Sequence, residues 1–140
     1  MTKGFHHVAL GCRAFDRSVD FYTNKLGFRP VCAWGEAPKR ATLLDIGDGA
    51  FIELFERVDA PVCKCEPPCL CNPILHFALN CADVDAAIEL VRAEGMEVTI
   101  EPKDVVIPSA KGSGGLPARI AFFKGPDGEV VEFFHTKEQP

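Results

Sequence analysis

The chain has 140 residues, 47% hydrophobic and 25% charged, with a formal net charge of −5 at pH 7. That length supports a core without staples, and the acidic balance excludes a nucleic-acid partner or an anionic membrane surface, both of which need a basic face. No apolar run has the length of a transmembrane helix and the first residues lack the apolar centre of a signal peptide, so a cytoplasmic location is expected.

A β-rich run over about residues 5–10 opens the chain. Phe15, Val19, Tyr22 and Leu26 then recur at spacings of three and four, which predicts a helix, and Gly27 stands where a glycine ends one. Three strands are expected at about 29–34, 41–46 and 50–56, the last two joined by the turn dipeptide Asp48-Gly49. Residues 58–73 are rich in Pro and Cys and read as a linker. A second β-rich run, about 75–79, leads to a helix with Asp83 as N-cap, an apolar stripe of Val84, Ile88 and Val91, and Gly95 as its stop. Strands at about 97–101, 118–123 and 129–135 follow, with Asp127-Gly128 as a further turn.

The two halves repeat each other, and a repeat decides architecture before any local feature. His7-Val-Ala-Leu-Gly-Cys12 aligns with His76-Phe-Ala-Leu-Asn-Cys81 at an offset of 69, which also pairs Asp16 with Asp85 and Val19 with Ile88. Asp48-Gly-Ala-Phe-Ile-Glu53-Leu-Phe55 aligns with Asp127-Gly-Glu-Val-Val-Glu132-Phe-Phe134 at an offset of 79. The second half therefore carries an insertion, expected as a loop at about 107–116. The predicted fold is α+β: two pseudosymmetric βαβββ modules, about 4–57 and 74–136, forming a cupped mixed sheet within one domain spanning 1–140.

The repeat places His7 and His76 in first strands, and Glu53 and Glu132 in last strands. Strand side chains alternate faces, so Glu53 shares a face with Phe51 and Phe55, and Glu132 with Val130 and Phe134. A carboxylate on an apolar stripe is costly unless paired or metal-bound. Pseudosymmetry brings the two His-plus-Glu sets together, and two imidazoles with two carboxylates suit one divalent ion, Ni or Zn first, with Fe, Mn or Co as alternatives.

These residues resemble the vicinal oxygen chelate superfamily (glyoxalase, bleomycin resistance and dioxygenase proteins), and within it glyoxalase I, the lactoylglutathione lyases. The resemblance rests on His7-Val-Ala-Leu, Ser18-Val-Asp-Phe-Tyr-Thr-Asn-Lys-Leu-Gly27-Phe, Ile52-Glu53-Leu, Leu75-His76-Phe-Ala-Leu and Gly125-Pro-Asp-Gly-Glu-Val-Val-Glu132. It implies His7, Glu53, His76 and Glu132 as metal ligands, a homodimer, and isomerisation of a small α-oxo or thiohemiacetal substrate through a metal-stabilised enediolate. Glu132, or failing it Glu53, would then be the proton-moving base. The family's arginine four residues after the first ligand is replaced by Gly11, and its asparagine four after the first glutamate by Arg57. Two glutathione contacts are thus missing or relocated, which leaves glutathione open as co-substrate. An extradiol-type dioxygenase built on His7, His76 and Glu132 is an alternative, though Glu53 as a fourth ligand would close one open position. An epimerase of the same superfamily is another. A drug-binding resistance protein is the alternative outside enzymes, and keeping all four ligands argues against it.

Candidates beyond the four ligands are weaker. Arg119 at a strand start and Lys111 in the glycine-rich Lys111-Gly-Ser-Gly-Gly115 segment are candidate contacts for an anionic substrate, the segment itself being a lid or a plain solvated loop. Trp34 and Phe122 line a pocket or pack a core. Cys63, Cys65, Cys69 and Cys71 form a cluster suited to Zn or Cu(I), although Cys-x-Cys departs from the usual zinc spacing. Seven cysteines, an odd number, argue against a disulfide scaffold. His6 is expected to point away from His7, and His135 to lie on the surface.

Overall fold

Alternating patterns in the two halves become two four-stranded mixed sheets. The computed structural model describes residues 2, 4–59, 74–108 and 114–137, and the chain divides into two compact units, residues 1–64 and 65–140. Unit 1 runs β1 (His7–Cys12), α1 (Phe15–Asp20), a π-turn (Phe21–Lys25), β2 (Arg29–Trp34), β3 (Ala41–Gly47) and β4 (Ala50–Glu56). Unit 2 runs β5 (Phe77–Asn80), α2 (Val84–Ala93), β6 (Glu97–Pro108), β7 (Gly115–Lys124) and β8 (Val130–His135). The sheet orders are β1-β4-β3-β2 and β5-β8-β7-β6. In each, the first strand pairs parallel to the last and the remaining neighbours are antiparallel. The predicted βαβββ modules are therefore present. The cysteine cluster (Cys63, Cys65, Cys69, Cys71) and Lys111 lie outside the described residues.

Each helix covers one sheet face. In unit 1, Phe15, Phe21 and Tyr22 are buried together with Leu44, Ile52 and Leu54; in unit 2, Val84, Ile88 and Val91 are buried with Leu79, Ala121, Phe123, Val131 and Phe133. Asp83 caps α2 as predicted, its Oδ1 accepting from the Ala86 N–H at 2.9 Å, and Gly27 and Gly95 both take φ of +78° at the helix ends, a conformation glycine adopts without strain. No helix among the described residues is long and apolar enough to cross a membrane.

Two expectations need correction. The first helix is not one α-helical stripe. The Leu26 N–H donates to the Phe21 carbonyl five residues back, 3.0 Å, and this wider turn rotates the face. Phe15, Ser18, Phe21 and Tyr22 are buried, whereas Val19 and Leu26 are half-buried. The insertion in the second half is also not simply a loop. β6 extends to Pro108 and stays paired with β7 as far as Pro108↔Gly115. The β-branched run Val105-Val106-Ile107 favours extended backbone, so the extra residues lengthen the hairpin.

One arginine in each unit ties helix to sheet. Arg40, entering β3, donates from Nη2 to Glu56 Oε1 (2.7 Å) at the end of β4 and from Nη1 to Asp16 Oδ1 (2.9 Å) on α1. Its guanidinium lies 4.8 Å from the centre of the Phe15 ring. Its counterpart Arg119 on β7 donates from Nη2 to Asp85 Oδ1 (2.7 Å) on α2 and from Nη1 to Asp104 Oδ1 (3.0 Å) on β6. Hydrogen bonds from Arg40 hold the Glu56 carboxyl below the usual carboxylate range. A depressed carboxylate stabilises the fold above its unfolded value and ceases to do so as pH falls through the folded one. Glu56→Gln is therefore expected to lower the melting temperature at pH 7, with the gap to the parent closing below about pH 4; a gap that persists at pH 3 would mean the loss is one of packing. Phe123→Ala, which empties a fully buried ring site, is expected to cost about 3–5 kcal/mol in urea unfolding.

Candidate metal centre

Parallel register brings the candidate ligands together within each unit. β1 and β4 pair with His7 opposite Phe51 and Ala9 opposite Glu53, so His7, Phe51, Glu53 and Phe55 share the sheet face away from α1. His7 Nε2 stands 3.4 Å from Glu53 Oε2. β5 and β8 pair with Ala78 opposite Glu132. His76, just ahead of β5, sets its Nε2 3.0 Å from Glu132 Oε2. Two donors each about 2.1 Å from one ion, at tetrahedral or octahedral angles, stand roughly 3.0–3.4 Å apart. Each pair therefore has the spacing of neighbouring ligands on one ion. Among the described residues each unit supplies two such donors, and neither gathers three.

The two pairs are not equivalent. The Glu132 side chain is 10% exposed against 17% for Glu53, while both histidines are about 40% exposed. Burial pushes the Glu132 carboxyl above the usual range, and the neighbouring His76 only partly offsets it.

Aromatic rings flank both pairs. Phe122 lies opposite Glu132 in the β7–β8 register and meets the His76 ring edge-on, 5.1 Å between centres. Trp34 meets Phe55 at 6.1 Å, on the face that carries Glu53. Both aromatic candidates thus lie on the ligand-bearing faces.

Arg119 does not. It pairs with His135 in β7–β8 and shares the face of Ala121 and Phe123, which puts it on the helix face, with Asp85 and Asp104 as its partners. Its charge is committed to structure, a correction to its candidacy as a substrate contact. His6 does not turn away from His7. The two Nδ1 atoms lie 2.9 Å apart and the His6 ring stacks on Phe51, 4.9 Å between centres; residues just ahead of a strand need not follow its alternation. His135 is half-buried, donating from Nδ1 to the Cys81 carbonyl at 2.9 Å. Gly11 and Arg57 prove to be neighbours, with the Arg57 Cγ only 3.3 Å from where a Cβ on Gly11 would stand. Their shared face was open to the alternation rule; their contact depends on the register between β1 and β4, which sequence does not print.

Comparison with known proteins places the fold. Residues 4–133 match the family model of the Glyoxalase/Bleomycin resistance protein/Dioxygenase superfamily, and the chain belongs to that superfamily. A putative lactoylglutathione lyase of Brassica oleracea is 42% identical over 99% of this chain, which spans only 46% of that protein. The lactoylglutathione lyase of Haemophilus influenzae is 32% identical, covering 94% of this chain and 91% of its own. Among solved structures, a glyoxalase family protein from Enterococcus faecalis superposes with a TM-score of 0.71 at 22% identity, covering 94% of this chain and 97% of that one.

A carboxylate whose affinity for a proton is raised by burial costs stability wherever it is ionised. The cost is absent below the unfolded value, near pH 4.3, and grows as pH rises past it. Metal-free Glu132→Gln is therefore expected to melt no lower than the metal-free parent at pH 7, and the two should converge near pH 4. A clear drop for the variant at pH 7 would show that the charged pair with His76 outweighs the burial penalty.

Proposed function

From membership of this superfamily we propose that His7, Glu53, His76 and Glu132 hold one divalent metal ion, and that the protein is a lactoylglutathione lyase-like isomerase of thiohemiacetals. The observation carrying this reading is the recurrence, in both units, of a histidine Nε2 and a glutamate Oε2 at ligand spacing. Each pair supplies two donors, half of the proposed set of four. The donors are borderline nitrogens and hard oxygens, which suit nickel or zinc and also accept cobalt, manganese or iron. When bound, the ion supplies Lewis-acid polarisation of two neighbouring substrate oxygens.

The chain's own residues do the rest. Glu132, the more buried of the two glutamates and so the better shielded from water, is the better choice of base. It takes the proton from one substrate carbon and returns it to the adjacent one. Nothing is oxidised or reduced overall, and no second substrate is consumed. Glu53, more exposed, serves as ligand. Phe122 and Trp34 shield their faces from water. A small-molecule substrate in a homodimer located in the cytoplasm completes the reading.

Replacing any one ligand is expected to weaken metal binding by more than the about 10–100-fold typical of losing a supporting contact, measured by competition with a chromophoric chelator. Glu132→Gln should abolish turnover of the methylglyoxal–glutathione adduct, and chelation should abolish it reversibly in the parent. Metal-loaded protein that isomerises no thiol adduct but consumes oxygen with a catechol would overturn the assignment in favour of a dioxygenase.

A further inference from the structure

We infer that His6 is a positioning residue for the metal-binding pair of the first unit: its Nδ1 accepts a hydrogen bond from His7 Nδ1 and so keeps the His7 imidazole with the lone pair of Nε2 turned towards Glu53. The inference rests on the reading of His7 as a metal ligand, and it adds a residue that ligates nothing itself.

The two nitrogens of His7 face different partners. Nε2 stands 3.4 Å from Glu53 Oε2, and Nδ1 stands 2.9 Å from His6 Nδ1. At that separation the two Nδ1 atoms share a hydrogen bond, with one proton between them. An imidazole that ligates through Nε2 offers its lone pair there and carries its proton on Nδ1. Once His7 is a ligand, the direction of the bond is therefore fixed. His7 Nδ1–H donates, His6 Nδ1 accepts, and the proton of His6 sits on its own Nε2. In the opposite arrangement His7 would present an N–H to Glu53 and no lone pair to an ion. An acceptor behind a ligating histidine fixes its tautomer, orients its ring and raises its basicity.

His6 is itself anchored, although it is exposed. Its carbonyl accepts from the Phe51 N–H at 2.8 Å, beside the first rung of the β1–β4 pairing. Its ring stacks on Phe51, with 4.9 Å between centres and 29° between planes. Phe51 belongs to the face that carries His7 and Glu53, so it acts as a shelf that brings the His6 ring to that face. A backbone bond and a ring contact together limit the rotamers that the side chain can visit.

The second unit has neither part. The offset of 69 sets Leu75 where the first unit has His6, and the offset of 79 sets Val130 where it has Phe51. Neither side chain has a hydrogen-bonding atom. The acceptor and its shelf thus differ together between the units, which fits a two-residue support. The support also stands where burial does less. His7 and Glu53 are 3.4 Å apart with the glutamate 17% exposed, against 3.0 Å and 10% for His76 and Glu132.

Zinc affinity of the whole chain, measured by competition with a chromophoric chelator, tests this among variants whose metal-free melting matches the parent's. His6→Phe keeps a ring for the Phe51 shelf and removes the acceptor. It is expected to weaken binding about tenfold, the lower end of the loss typical of such partners, because water reaches an exposed ring. His6→Asn, whose Oδ1 takes the place of Nδ1 and accepts, should recover most of the affinity. His6→Leu, which gives the first unit the residue of the second, should match His6→Phe, and Leu75→Ala should leave the affinity unchanged. Equal affinity in the parent, His6→Phe and His6→Leu, or a loss that His6→Asn does not recover, would overturn the positioning role and leave the ligand set intact. A parent that binds no zinc would overturn the ligand reading and the positioning with it. His6-dependent binding without isomerisation of a thiol adduct would sustain the positioning and defeat the isomerase reading.

Discussion

The parallel pairing of first strand with last strand, made once in each unit, is the constraint from which the rest follows. It places His7 beside Glu53 on one face of the first sheet and His76 beside Glu132 on one face of the second, residues far apart in sequence. A hairpin cannot close a parallel pair, so the chain must leave the first strand, cross over, and come back before the last. The helix and the antiparallel hairpin are that crossover. Because the helix packs on one face, the histidine and glutamate emerge on the other, where no helix of the same unit competes for space. A shift of one residue in the β1–β4 register would send Glu53 into the core beneath α1 and bring Ile52 or Leu54 out in its place.

The arginine ties show how two copies of one design diverge without losing it. Arg40 and Arg119 occupy equivalent positions, as do the helix acids Asp16 and Asp85. Yet the position of Glu56 in the first unit is filled by His135 in the second, which turns instead to the Cys81 carbonyl. The second carboxylate for Arg119 then comes from Asp104, on the part of β6 that extends beyond the length of its counterpart β2. The longer hairpin thus replaces an acid that the last strand no longer carries.

Much of this was legible because repeats and period-two patterns are properties of sequence. The four candidate ligands, the Asp83 cap, the Gly27 and Gly95 stops and the first-unit strands could all be placed from residue types alone. What was not legible depends on choices between nearly equal local structures. The π-turn at Phe21–Lys25 changes which residues of the segment face the sheet, burying Phe21 and Tyr22 while Leu26 is only half-buried, and no residue type announces it. The length of β6 was missed because the insertion was expected as a loop at about 107–116, while cross-strand pairing with β7 runs as far as Pro108. The partners of Arg119 were not legible because the acid that claims it, Asp85, is distant in sequence and meets it only after α2 packs.

Gly11 and Arg57 are the sharper lesson. As isolated departures from a family pattern they suggest two lost contacts. As neighbours they amount to one change, because the first supplies the space that the second fills. A side chain at 11 and an arginine at 57 compete for the same volume beside β1, so substitution at either position alone is constrained by the other. The Arg57 stem thus lies on the face of unit 1 that bears His7 and Glu53, and the register between β1 and β4 decides that it meets Gly11 there.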